Sequence, residues 1–410
     1  MQPRQTFRIA IRKFDPFFSA IQKQWQSFCT QSGVGLDLEA VELDLHPLYE
    51  TLFEKNGLQN GDWDVGFVNS DWFAEAHHGR CLLDLSSHID ADPPEGYPDG
   101  WTDSLLRMQT FEGQVIGLPY HDGPQCLIYR RDLFESPVEQ AAFQQHHNRP
   151  LRVPMTWDEF VEVARFFTRP KEKLYGTVFA AYPDGHNTVY DFCIQLWTRG
   201  GELFDAAGRV KLNSAQAIDA LGFYRALLND GAAIHPGARD FDSVQSGMAF
   251  AGGEIAMMTN WFGFAAMCET IPESRVKHKV AVAEIPHAPN FPSASLNVYW
   301  ILGIGSGSPN TDVAYRFLRH CASAAQDKLL TTQGGIGCRK STWADAEINA
   351  AIPYYHMLEP LHQNARELPR LTHWAKLAKV IDQLVLDTIQ TETPIDDLVK
   401  AAQHKVTTLP

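Results

Sequence analysis

No stretch of the chain is apolar for the ~20 residues that a bilayer crossing demands. The longest candidate, IAMMTNWFGFAAMC from Ile255 to Cys268, is broken by polar residues and glycine. Basic stripes are missing too. With a formal net charge of −14 and nothing local to override it, the chain repels phosphate backbones, which makes nucleic acid and anionic membrane poor partners. The seven cysteines form no CxxC pair and show no zinc-ligand spacing. An odd number leaves at least one unpaired, and most sit among apolar neighbours, where Cys behaves as a small hydrophobe; no disulfide framework, metal site, cofactor or cysteine nucleophile is expected. There is no HExxH, no GxSxG elbow and no P-loop, and GIGSGS at Gly303 to Ser308 misses the GxGxxG spacing and reads as a strand end. No apolar signal core follows MQPRQ, which runs straight into strand-like FRIAI. Either export information has been trimmed away or the chain stays in the cytoplasm.

What is present is the composition of a folded protein, 44% hydrophobic and 20% charged, in a chain of 410 residues. That length exceeds one ordinary core, so two or three domains, interwoven or sequential, are expected. Phe7, Ile9 and Ile11 alternate as in a strand; Pro16 opens a helical run that Gly33 stops. LDLEAVEL alternates again, HPLYETLFEKNG reads as helix and DVGFV as a short buried strand, a βαβαβ order that argues for a parallel sheet with covering helices. Asp92 to Gly100 reads as a surface loop, and Arg131 to Pro154 as a loop or irregular helix. His77 and His78, like His146 and His147, are adjacent rather than on one helical face, and read as solvated pairs. TWDEFVEVARFF opens with Thr156 and Glu159 at capping-box spacing and carries a stripe of Trp157, Phe160, Val161, Ala164 and Phe167. A second helix runs from Asn213 or Ser214 to Gly231. GEIAMMTNW, VAVAEIP and YWILGIG read as strands, and the carboxyl third is mostly helical. Trp25, Trp157 and Trp343 are expected in the core.

Several strand-like runs end in polar and aromatic residues. FRIAIRK leads to Phe14 and Asp15, DVGFV to Asn69, Ser70, Asp71 and Trp72, VIGL to Tyr120, His121 and Asp122, and AMMT to Asn260 and Trp261. In open α/β sheets, ligands lie beyond the carboxyl ends of the strands, so these tips are expected to converge on one cleft. Asp and Asn form paired hydrogen bonds with hydroxyls while Trp and Tyr offer flat faces to the C–H side of a sugar ring, which fits a neutral polyhydroxylated solute.

GQVIGLPYHDGPQCLIYRRDLF, PMTWDEFVEVARFFT, LWTRGGELFDAAGRVKLNSAQAIDALGFYRALL, SGMAFAGGEIAMMTNW and SGSPNTDVAYRFLRHCASAAQDKLLTTQGGIGCRKST follow one another in the chain. In that order they resemble the extracellular solute-binding proteins of carbohydrate ABC transporters, the family that includes maltose-binding protein. The resemblance implies a periplasmic-binding-protein-like α/β fold: two lobes joined by a hinge of crossover strands, with a solute held between them and no reaction performed. It implies lobe one at 1–122 with a return at 278–323, and lobe two at 123–277 and 324–410. By the same resemblance Asp15, Asp71, Trp72, His121 and Asp122 would contact solute from lobe one, with Ser70 and Tyr120 beside them at the strand tips. Asn187, Tyr190, Asn260 and Trp261 would do so from lobe two. Asn297 and Tyr299 stand where the family usually has a Gly pair, implying a bulkier wall and a smaller solute; Arg339 and Trp374 are further candidates. A membrane permease as partner, a monomeric state and a periplasmic location follow as expectations. A solute touching both lobes favours the closed form only by its differential affinity for it.

Two rival readings stay open at this point. A glycoside hydrolase needs two carboxyls ~5 to 9.5 Å apart across a scissile bond, for which Asp71 and Asp122 are candidates. A charged solute is the other: a polyamine facing the acidic tips, or an acidic sugar or sulfonate facing Arg339 and Lys13.

Overall fold

The structure is a computed structural model that describes residues 6–408, so the MQPRQ reading lies outside the described residues. The chain forms two compact units. Unit one runs through Gly123 and adds Asn297–His362 and Glu367–Thr372; unit two comprises Pro124–Leu296, Gln363–Arg366 and the chain from His373 onward.

Unit one is built on a five-stranded sheet. Its strands are β1 (Thr6–Arg12), β2 (Asp37–Leu43), β3 (Val65–Asn69), β4 (Leu118–His121) and, from the distant return, β8 (Trp300–Ile304). The spatial order is β2-β1-β3-β8-β4. β1 pairs parallel with β2 and β3, as the βαβαβ pattern predicts, but β8 runs antiparallel to both β3 and β4. Phe7, Ile9, Ala10 and Ile11 are all buried, as a strand covered on both faces requires. The helix Asp15–Ser32 begins with Asp15 and Pro16 in its first turn and ends where Gly33, at φ 73°, takes the left-handed conformation and returns its N–H to Cys29 O. Trp25 on that helix stacks on Phe7 at 4.6 Å and 16° and packs edge-on against Phe317 at 5.1 Å. These rings join the first segment of the unit to its return.

Unit two has a three-stranded antiparallel sheet in which β5 (Gln125–Arg130) lies between β6 (Met257–Trp261) and β7 (Val280–Ala283). Its helices include Trp157–Phe167, Asn187–Trp197, Ala215–Leu228 and Trp374–Gln390. Thr156 caps the first of these by accepting from Glu159 N, while the Glu159 carboxylate accepts from Met155 N, one residue further back than a capping box. Val163 rather than Val161 completes its buried face.

Four expectations need correcting. The first boundary falls one residue from the expected place, but the return comes at Asn297 and not at residue 278. β7 is hydrogen-bonded along Leu127–Arg130 of β5, so the chain is still in unit two at Ala283. Residues 324–362 belong to unit one, not to the second lobe: Gln24 Nε2 donates to Gln326 O, and Ser19 Oγ to Gln333 Oε1, pinning that segment on the first helix. The stretch after Arg131 contains a regular helix, Pro137–His147, capped by Ser136. Its His147 stacks on Phe143 at 4.2 Å and pairs with Glu162, and His77 stacks on Phe111 at 4.8 Å, so these two rings are packed rather than freely solvated, whereas their neighbours His146 and His78 are exposed.

All seven cysteines are free. Among the described residues, no helix is long and apolar enough to cross a membrane and no group of three His, Cys, Asp or Glu side chains is arranged to hold a metal ion.

Candidate functional site

In unit one the carboxyl ends of β1, β3 and β4 share a sheet edge. Because β8 runs the other way, its first residue shares that edge as well: Trp300 pairs with Asn69 on one side and His121 on the other. Asn69 shapes the β3 tip by accepting from Asp71 N at 3.0 Å, and Ser70 is stitched to β8 by its N–H to Tyr299 O at 2.9 Å and by Tyr299 N to Ser70 Oγ at 3.3 Å. Ser70 and Asp71 remain half-buried and Asp15 exposed, next to Phe14 at 37% exposure. The Trp300 ring is part-exposed and sits edge-on to the buried Trp72 at 5.7 Å and 87°; Trp72 in turn packs against Tyr49 and Phe53. Trp72 therefore acts as the underlay and Trp300 as the accessible face.

His121 completes this edge. Its Nδ1 accepts from Ile336 N at 2.9 Å, which places the ring proton on Nε2, and the ring meets Phe17 edge-on at 4.6 Å. Burial lowers its pKa to about 4, outweighing the Asp122 charge that raises it. A folded-state pKa below the unfolded value costs stability only as pH falls below ~6.5, where the unfolded chain takes up a proton that the folded ring refuses. The His121 Cε1 proton is accordingly expected to hold its NMR shift from pH 7 to 5 and to move only near 4; a midpoint near 6.5 would refute the neutral donor.

Other candidates in unit one turn inward, against expectation, because buried polar groups must find partners. The Tyr120 hydroxyl donates to Gln24 Oε1 at 2.9 Å, and that of Tyr299 to Leu105 O at 2.7 Å. Asn297, 1% exposed, sets its Nδ2 3.9 Å from Met108 Sδ. Arg339 donates to Glu95 O and Ala322 O and lies over the Trp101 ring at 4.5 Å, which leaves its charge as an internal staple. Asp122 is 1% exposed and lies 2.6 Å from His362 Nε2.

In unit two, Trp261 ends β6 opposite Gln125 and is part-exposed, held edge-on by the buried Tyr190 at 5.5 Å and 83°. Asn260 orients it from behind: its Oδ1 accepts from Trp261 N at 2.8 Å and its Nδ2 donates to Ser243 O at 3.0 Å. Asn187 is buried at the start of its helix and bound to Asp184, which accepts from both its N and Nδ2. Trp374 is buried in the core at 5% exposure. The loop before the Asn187 helix leaves Tyr182 48% exposed, a ring that strand-tip reasoning passed over because no strand precedes it. Trp300 was missed for a different reason, the direction of β8.

Residues 48–328 match the family described as bacterial extracellular solute-binding protein. Over 375 residues the chain is 24% identical to a probable ABC transporter-binding protein of Deinococcus radiodurans, covering 89% of this chain and 83% of that protein. The maltose-bound MalE3 of T. maritima is similar at TM-score 0.85 and 24% identity, over 99% of this chain and 100% of that one. An ABC transporter solute-binding protein of Agrobacterium radiobacter K84 in complex with ribitol is similar at TM-score 0.86 and 23% identity, over 99% of each chain. At these identities the likeness is one of fold: two periplasmic-binding-protein-like α/β units joined by crossover segments.

Proposed function

The chain belongs to the bacterial extracellular solute-binding protein family, and from that membership we propose that it is the substrate-binding component of an ABC importer for a neutral sugar or polyol. The observation that carries this reading is the pair of part-exposed tryptophans at sheet edges, Trp300 in unit one and Trp261 in unit two, each braced from behind by a buried ring. On the same edge as Trp300 stand hydrogen-bonding groups: the neutral Nε2–H of His121, the Ser70 hydroxyl and the Asp71 carboxylate. A flat apolar face beside donors and acceptors is what a sugar or polyol needs. We propose Ser70, Asp71, His121 and Trp300 as contacts from unit one and Tyr182 and Trp261 from unit two, with Asp15 at the rim. Asn260 holds Trp261 and Tyr299 holds Ser70 in place, while Tyr120, Asp122, Asn297, Arg339 and Trp374 are buried within their own units.

Members of the family are solute-binding proteins rather than enzymes, so the hydrolase alternative falls. The Asp122 carboxyl, enclosed against His362 at 1% exposure, is also badly placed to reach a scissile bond. A monomer that works in the periplasm and hands its solute to a membrane permease completes the proposal.

The test is a thermal-shift panel of maltose, ribitol, D-mannitol, spermidine and glucuronate, with nitrophenyl glycosides tested for turnover. A true solute at 100 times its dissociation constant is expected to add ~2.7 kcal/mol to stability. Response to a neutral member alone supports the reading. Stabilisation by spermidine or glucuronate alone, or catalytic turnover, overturns it.

A further inference from the structure

The buried Asp122–His362 couple stands beside two of the places where the chain leaves unit one. Asp122 precedes the first passage, at Gly123/Pro124, and His362 ends the segment before the third, at His362/Gln363. The two residues are 240 positions apart in sequence, yet Nε2 of His362 lies 2.6 Å from Asp122 Oδ2, with both side chains almost wholly enclosed, at 2% and 0% exposure. The imidazole is fixed on every side. It stacks on Trp343 at 4.9 Å and 12°, and its Nδ1 lies 3.1 Å from Ser104 Oγ, which is itself 2.9 Å from Thr102 Oγ1. Asp122 is held through its backbone as well, donating N–H to Ile336 O at 3.0 Å, while Ile336 N donates to His121 Nδ1. Immediately beyond this fixed point the chain becomes permissive: Gly123 adopts φ 141°, a conformation side-chain-bearing residues rarely take.

We propose that Asp122 and His362 are positioning residues that tie the first and third passages together at their unit-one ends, setting the resting conformation from which solute is captured. This rests on the solute-binding reading for its consequence, though not for its physical content. A couple that contacts no solute changes apparent affinity through the fraction of molecules in the competent conformation. It also steadies His121, the neighbour of Asp122, whose ring is aimed by the same Ile336 backbone. Removing either partner leaves the other buried without its hydrogen bond, whereas an amide of similar shape keeps one.

The test is amide hydrogen exchange on the full chain, without solute, in His362→Ala, His362→Gln and Asp122→Asn. His362→Ala is expected to accelerate exchange in residues 121–126 and 360–366 at least tenfold while the amides of β1 and β3 stay within twofold. His362→Gln and Asp122→Asn, which can still bridge, are expected to accelerate it less than threefold, and they carry the test if the alanine variant does not fold. Unchanged exchange at both passages, or an equal rise throughout unit one, overturns the tie. With a solute from the panel in hand, His362→Ala is expected to shift affinity at least fivefold and His362→Gln to restore it. A panel without any response would sink the functional reading and leave the exchange result to decide the tie.

Discussion

Trp300→Ala is expected to weaken binding of a neutral sugar or polyol roughly 50-fold and to move the thermal midpoint by only a few degrees. The argument starts from strand direction. β8 is antiparallel to β3 and β4, so Trp300, its first residue, is level with Asn69 and His121 at their last residues. Its ring stands on the edge of Trp72 at 5.7 Å and is tilted against Phe67 at 6.5 Å, which orients it without enclosing it. A sugar or polyol covering about 100 Å² of apolar surface there gains ~2.5 kcal/mol, and each 1.4 kcal/mol is a factor of ten in affinity. Trp300→Phe keeps a flat face and is expected to lose less than tenfold. Titration calorimetry with the panel solute checks both. An alanine variant that binds as tightly as the parent would remove Trp300 from the site.

The elements that were legible in the sequence are those whose signals are local. The strand β1 and the helix after it could be read because alternation, Pro16 and Gly33 all act within a few residues. The same holds for the helices capped at Thr156 and Ser214. What resisted reading depends on partners far away in the chain. YWILGIG reads as a strand, but nothing within it says whether Trp300 or Ile304 lies beside the tips of β3 and β4; that is decided by pairing with residues 65–69. The return to unit one was misplaced because VAVAEIP says nothing of its pairing with β5. For Tyr299 and Arg339 the residue type announces an appetite for hydrogen bonds, and Leu105 O and Glu95 O satisfy it from within. Strand tips are local features that a sequence can name, whereas burial, set by distant partners, decides which side chain of each stretch faces outward.

Asp191 leads to an expectation that needs no solute at all: Asp191→Asn should stabilise the protein at pH 8. This carboxyl lies on the buried helix Asn187–Trp197, where it accepts from the Tyr224 hydroxyl at 2.7 Å. Desolvation raises its pKa to about 8, opposed by the Tyr224 hydrogen bond and reinforced by the nearby Asp184 charge. Between ~4, where the unfolded carboxyl ionises, and about 8, the folded chain keeps a proton that the unfolded chain has lost. Stability attributable to this group therefore falls as pH rises through that window, by ~1.4 kcal/mol per unit, and on the order of 4 kcal/mol is gone by pH 8. Asparagine has the same shape, stays neutral and still offers Tyr224 an acceptor. The variant should match the parent at pH 4.5, exceed it increasingly toward pH 8, and show a flatter pH profile in urea unfolding. An asparagine variant less stable than the parent at pH 8, with an unchanged slope, would mean that the carboxylate is ionised in the fold and stabilised by something other than Tyr224.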